Sequence, residues 1–228
     1  MKLSGVIILI LSVFLSVFIG GAATRPAATT KKKDSVLVVI DAGHGGIDGG
    51  VTGVNTGVKE SDINLEVAKA LKEKLEAGGM TVVMTRTTPA SLYGGTGKGF
   101  KEKDLKMRVE VAEKCNADLF ISIHMNKYSD ENRRGAQVFY KIDDEASQNL
   151  AESVQKSFND MKEAPRECSA LRGDYYVLNN NTVSSIICEC GFLSNAEDEK
   201  LLLDETYRDE LAYAVFRGVV DFYSRENA

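Results

Sequence analysis

The 228-residue chain holds two histidines, and both stand beside residues suited to metal chemistry. His44 lies in DAGHGG, directly after the apolar run VLVVIDA (Val36–Ala42). His124 lies in SIHMN, at the end of DLFISIHMN (Asp118–Asn126). Glu60 follows a Gly-rich stretch, and Glu189 stands in CECGF, closing the run SSIICEC (Ser184–Cys190). Two histidines and one glutamate can hold a catalytic zinc with a fourth position left for water. A second carboxylate outside the ligand set can then shuttle a proton. His44, Glu60 and His124 supply such a ligand set, and Glu189 such a shuttle. Asp41 and Asp48 are further candidate ligands, and Asp41 also suits a carboxylate that orients a ligating histidine. Residue types alone leave two other readings open: histidines with a purely structural role, or a pair orienting a phosphate beside the glycines. GHGGIDGG lacks the Lys-Ser/Thr pair of a phosphate loop.

The elements that must position these side chains can be read from periodicity. VLVVIDA, TVVMTR (Thr81–Arg86), DLFISIHMN, AQVFYKI (Ala136–Ile142), YYVL (Tyr175–Leu178) and SSIICEC are expected as strands. Helical spacing over Asp62–Ala77 ends at Gly78-Gly79, and further helices are expected near Asp104–Cys115, over Asp144–Met161 and from Glu197 to about Arg225. Strands alternating with helices predict an α/β fold: a twisted, mostly parallel or mixed sheet of about six strands flanked by helices, in a single catalytic domain. Ligands in such sheets bind beyond the carboxyl ends of the strands. His44, His124 and Glu189 all fall at such ends, and Glu60 reaches the same crevice from the start of the next helix.

Composition narrows the function classes. With 43% hydrophobic and 27% charged residues, the chain can form a core. A formal net charge of −5 argues against nucleic acid as a partner, since phosphate binding needs a basic face. The spacing of Cys115, Cys168, Cys188 and Cys190 matches no zinc ribbon or finger. Cys188 and Cys190 flank Glu189, so strand alternation sends both to the opposite face, as core residues. The stretch Tyr93–Lys103 is rich in glycine and lysine and reads either as a mobile rim whose Lys98, Lys101 and Lys103 can meet substrate carboxylates or as a solvated loop alone.

VIDAGHGG (Val39–Gly46), KESDINL (Lys59–Leu65), Thr85-Arg86, LKMRVEVAEKCNADLFISIHMN (Leu105–Asn126) and ECGFLSN (Glu189–Asn195) resemble, in this order, the zinc-dependent N-acetylmuramoyl-L-alanine amidases of bacterial cell-wall metabolism. The resemblance runs from Val36 to the C-terminus. It implies that His44, Glu60 and His124 bind Zn2+, that Glu189 is catalytic, and that the substrate is peptidoglycan. The bond implied is the amide between N-acetylmuramic acid and L-alanine. Ser184-Ser185 replaces a proline common before the catalytic glutamate, and Thr87-Thr88-Pro89 follows Thr85-Arg86 where many relatives carry an acid. Neither change touches a ligand; both bear on substrate fit. The short layout is similar to the germination-specific spore-cortex branch, which implies a step toward muramic δ-lactam. The rival readings are another zinc peptidase or deacetylase of the wall, and a non-catalytic wall-binding protein.

The N-terminus fits an external substrate. After Met1 and Lys2, Leu3–Ala23 is apolar or small and carries no charge. About 20 such residues span a bilayer, whereas a signal-peptide apolar region is about 7–15. Residues 1–24 are thus expected as a signal or membrane anchor, 25–35 as a linker, and 36–228 as the catalytic domain. Arg25 and Lys31–Lys33 follow the apolar segment, against the usual cytoplasmic placement of positive charge. The domain is nevertheless expected outside the cytoplasm, attached to the membrane through that segment. In a sporulating cell that space is the forespore intermembrane space. A protein activator is left unidentified by the sequence.

Overall fold

A computed structural model describes residues 35–226. The expected segment 1–24, and all of the expected linker except Ser35, lie outside the described residues. No helix among the described residues is long and apolar enough to cross a membrane.

Six strands form one mixed sheet in the order β2-β1-β3-β6-β4-β5. They are β1 (Leu37–Ala42), β2 (Thr81–Met84), β3 (Leu119–Asn126), β4 (Gln137–Tyr140), β5 (Leu171–Arg172) and β6 (Ser184–Phe192). β2, β1, β3 and β6 run parallel, and β4 pairs antiparallel to β6. The parallel strands are near-continuous apolar runs because both faces of the sheet are covered. On one face lie α1 (Glu60–Ala77), α3 (Glu145–Asn159), α5 (Ala196–Leu203) and α6 (Glu205–Glu226). On the other lie α2 (Phe100–Cys115) and the short α4 (Tyr176–Asn179).

Alternation sorts the strand residues between these faces. Val38, Ile40 and Ala42 join Leu119, Ile121, Ile123, Ile186, Cys188 and Cys190 in the core beneath α1, α3 and α6. Val39, Phe120 and Ile187 enter the smaller core beneath α2 and α4. Asp41, Ser122, His124 and Glu189 are in step with that second set, so the polar chemistry gathers on the α2–α4 side.

Local signals set the element ends. α1 stops at Gly78 and Gly79, the latter at φ +83. Asn116 closes α2 in the left-handed conformation, Asp144 caps α3 through Ser147 N, and Asn195 caps α5 through Glu197 N and Asp198 N. The asparagine of ECGFLSN is therefore a helix cap.

Two expectations are corrected. Tyr175–Leu178, read as a strand, is an extended residue followed by one helical turn, and β5 falls earlier at Leu171–Arg172. The run is aromatic and β-branched, but Leu178 N and Asn179 N bond back to Tyr175 O and close a helical turn that buries Val177 and Leu178. The expected single C-terminal helix is two, because Asp204 takes an extended conformation (ψ 123) and accepts from Thr206 N, starting α6.

Candidate metal centre and active site

His44, Glu60 and His124 converge. One donor atom from each lies within 4.8 Å of the others. His44 Nε2 is 3.2 Å and His124 Nδ1 2.8 Å from Glu60 Oε1, and the two rings meet edge to face with centroids 5.0 Å apart. Glu60 is 2% exposed, which a lone carboxylate would not tolerate. Its Oε1 also accepts from Asn64 Nδ2 and Met125 N, and its Oε2 from Val51 N. Burial pushes the Glu60 carboxyl up, but the hydrogen bonds from His124 and His44 outweigh this and hold it far below the usual range. For His124, burial lowers the pKa, and the bond and charge of Glu60 reverse it to a net rise. The two shifts keep Glu60 a carboxylate with a positive charge beside it, whether a proton on His124 or a cation.

The backbone brings them together by close approach. A Cβ on Gly43 would overlap the His124 ring, and one on Gly50 would overlap the Glu60 carboxylate. His44 itself sits at φ +60, a left-handed position rare for a residue with a side chain. Two buried arginines pin this segment. Arg108 donates to His44 O (2.6 Å), Ala42 O (2.8 Å), Asp41 Oδ1 (2.6 Å) and Asp104 Oδ2 (2.7 Å). Arg86 donates to Ala42 O, Gly43 O, Ser61 O and Thr88 O, tying the β1 loop to the start of α1.

Asp41 therefore does not orient a histidine, as the sequence suggested. Its oxygens accept from Arg108, Thr85 and Ser122, and no hydrogen bond joins it to His44 or His124 among the described residues. Burial raises its pKa, but Arg108 and the two hydroxyls bring it below the usual carboxylate range. The orienting carboxylate is Asp48, whose Oδ2 lies 3.0 Å from His44 Nδ1. That contact turns His44 Nε2 toward Glu60. Lys101 lies 3.3 Å from the same Asp48 oxygen, and Lys103 bonds Tyr93 Oη at 3.2 Å. Two of the three lysines that could meet substrate are thus engaged within the chain.

Glu189 shares the space. A cavity of about 220 Å³ is lined by His44, His124, Glu189, Phe100, Leu105 and Tyr175, among others. In the β3–β6 register Glu189 is opposite His124. Its Oε2 is buried with no hydrogen-bond partner. Burial raises the Glu189 carboxyl, His124 lowers it, Glu60 raises it, and the result is about 7. A value near neutrality suits a group that takes and returns a proton. Cys188 and Cys190 are fully buried on the opposite face, and burial pushes both thiols up, so neither is a nucleophile.

All four expected site residues meet in one place. Arg86, Arg108 and the role of Asp48 were missed. Arg108 had a signal: with Leu105, Val109 and Ala112 it lies on the helix stripe that faces the core.

The profile of the N-acetylmuramoyl-L-alanine amidase family matches residues 38–221, spanning the carboxyl end of every strand described above. The chain belongs to this amidase family. It is 31% identical over 194 residues to the germination-specific N-acetylmuramoyl-L-alanine amidase of Bacillus subtilis (strain 168), covering 83% of this chain and 81% of that protein. The structure of the CwlD amidase from Clostridioides difficile, in complex with the GerS lipoprotein, superposes with a TM-score of 0.80 at 35% identity, over 83% of this chain and 99% of that one. A second amidase of B. subtilis, LytC, is 30% identical over 87% of this chain but only 39% of its own length. This amidase therefore hydrolyses the peptidoglycan bond for which its family is named, with a six-stranded mixed sheet as scaffold.

Proposed function

We propose that the amidase works with zinc held by His44, Glu60 and His124, and with Glu189 as general base and then general acid. The observation that carries this is the convergence of those three donors within 4.8 Å beside the unpartnered Oε2 of Glu189. The nitrogen, nitrogen and carboxylate donor set fits zinc. When bound, zinc supplies Lewis acidity toward a water and the scissile carbonyl. Asp48 and Arg108 hold His44 in place, while Asn64, Met125 N and Val51 N hold Glu60. Glu189 takes the proton of the attacking water at its carboxylate and hands it to the amide nitrogen. The C–N bond then breaks, leaving a lactyl carboxylate on the muramic acid and a free amine on the alanine. Incubating peptidoglycan with zinc and the protein, then weighing the products, tests this. Intact stem peptides beginning with a free alanine amine are expected. Deacetylated sugars, or peptides cut at another bond, would overturn it.

The natural substrate in this reading is spore cortex, where removal of stem peptides precedes muramic δ-lactam. The germination-specific relative supports it. Residues 36–228 form the catalytic domain, and residues 1–24 carry it out of the cytoplasm and hold it at the membrane, in the forespore intermembrane space of a sporulating cell. The lipoprotein bound to the C. difficile relative supports a protein partner here as well. A deletion strain should make cortex without muramic δ-lactam. Normal lactam content would remove the cortex assignment and leave the amidase chemistry standing.

A further inference from the structure

Glu199, on α5, is a buried charge outside the mechanism above. It is 1% exposed, and no lysine or arginine pairs with it among the described residues. Its carboxylate is nevertheless satisfied. Oε2 accepts from Asn55 N at 2.7 Å, and Oε1 from Thr56 N at 2.9 Å and Thr56 Oγ1 at 2.7 Å. Burial raises its pKa, but the bonds from Thr56 and Asn55 bring it below the usual carboxylate range. Hydrogen bonds to an ionised acceptor are roughly twice as strong as neutral ones. Much of that gain is offset by the cost of desolvating the charge. What a fully satisfied buried group adds is a single, stiff arrangement of its partners.

Those partners belong to the loop that ends on Glu60. Gly49, Gly50, Gly53 and Gly57 give this loop much conformational freedom to lose. Its two arms lie side by side: Thr52 bridges Lys59, Gly53 N donates to Val58 O at 2.8 Å, and Glu60 N donates to Val51 O at 2.9 Å. Val51 N in turn donates to Glu60 Oε2. The position of the Glu60 carboxylate therefore follows the position of the loop. Asn55 and Thr56 form its exposed tip, and Glu199 holds that tip from beneath. The approach is close, since a Cβ on Gly53 would overlap the Glu199 carboxylate.

The segment that carries Glu199 also grips the strand ends that carry His124 and Glu189. Leu193, four residues after Glu189, donates its N–H to Asn126 O at 2.9 Å and accepts from Val54 N at 3.0 Å. Asp198 Oδ2 accepts from Phe192 N at 2.9 Å, which braces α5 against the end of β6. The end of β6 and the start of α5 thus join the Glu60 loop to β3 and β6 through bonds on both sides.

We infer that Glu199 is a positioning residue, which acts through the 51–60 loop to fix Glu60 relative to His124 and Glu189 and so sets how tightly the site holds its metal. This rests on the zinc reading above.

The test is zinc affinity of the full chain, measured at 25 °C by competition with a chromophoric chelator, beside urea unfolding of the chelated protein. Glu199→Ala should weaken zinc binding roughly tenfold, the low end of what partners of a metal ligand contribute. Glu199→Gln keeps an oxygen for Thr56 and loses the bond from Asn55 N, so its affinity should fall between alanine and wild type. Thr56→Val removes one hydroxyl contact and should show a smaller loss. Val154→Ala, in the core under α3, is the control for stability alone: it should unfold at lower urea and bind zinc as the wild type does. Unchanged zinc affinity in folded Glu199→Ala would overturn the inference, as would a loss no greater than that of Val154→Ala. If Glu199→Ala does not fold, unchanged affinity in both Glu199→Gln and Thr56→Val would overturn it. A wild type that binds no zinc would instead overturn the metal reading on which it rests.

Discussion

Replacing Arg108 by methionine keeps much of the side-chain volume and removes the charge that organises the first loop of the site. Arg108 is 2% exposed and its partner Asp41 1%, so water does not take over the lost contacts. The variant leaves Asp41 with only the Thr85 and Ser122 hydroxyls, and takes a donor from the carbonyls of Ala42 and His44. Removing one partner of a buried ion pair costs about 3–5 kcal/mol. In a domain of this size each kcal/mol lowers Tm by about 2–4 °C, so the expected drop is about 6–20 °C. The pH dependence gives a second check. The folded-state pKa of Asp41 lies below its ordinary value. Its contribution is therefore complete above the unfolded pKa of about 3.9 and disappears as pH falls through the folded value. Without Arg108 the largest lowering contribution is gone while burial still raises the carboxyl, so Asp41 is expected to protonate at a higher pH, and a protonated Asp41 no longer needs the cation. The stability gap between variant and wild type should thus be largest near pH 7.5 and smaller at pH 5. Urea unfolding followed by circular dichroism, with chelator present so that metal binding does not add to the slope, measures both. A loss below about 1 kcal/mol, or one equal at the two pH values, would refute the reasoning from buried-pair energetics.

Three further outcomes follow from the site. Glu189→Gln should keep its zinc and lose turnover by about 10²–10⁴-fold, the usual contribution of a proton shuttle; near-normal turnover in steady-state assays would remove Glu189 from the chemistry. Asp48→Ala frees His44 Nδ1 and should weaken zinc binding by about 10–100-fold in a competition titration with a chromophoric chelator; unchanged affinity would mean that the backbone alone orients His44. Replacing Cys188 and Cys190 together by alanine should lower thermal stability through lost packing and leave turnover of the folded, zinc-loaded protein intact; abolished turnover there would show that the thiols take part.

The parts of this molecule that could be read in advance share one physical origin. β1, β3 and β6 are covered on both faces, so their apolar runs stand out, with His44 just past the end of β1 and His124 and Glu189 near the ends of β3 and β6. Alternation across Cys188, Glu189 and Cys190 was enough to send the carboxylate and the thiols to opposite faces. What escaped depends on tertiary partners. Asp41 and Asp48 are both acids near His44 in sequence, and only the path of the loop gives Asp48 to the histidine and Asp41 to Arg108. YYVL has strand-forming residues, but it closes a helical turn and packs Val177 and Leu178 against α2 instead. Asp204 hides a helix start inside a continuous helical pattern because a single residue's dihedral decides it.

Zinc stoichiometry, measured by plasma mass spectrometry on purified, folded protein, tests most directly whether His44, Glu60 and His124 hold zinc. One zinc per chain is expected in the wild type and in Glu189→Gln, with loss of the metal in His44→Ala and in His124→Ala. A folded wild type that takes up no zinc, or full occupancy in either histidine variant, would contradict it.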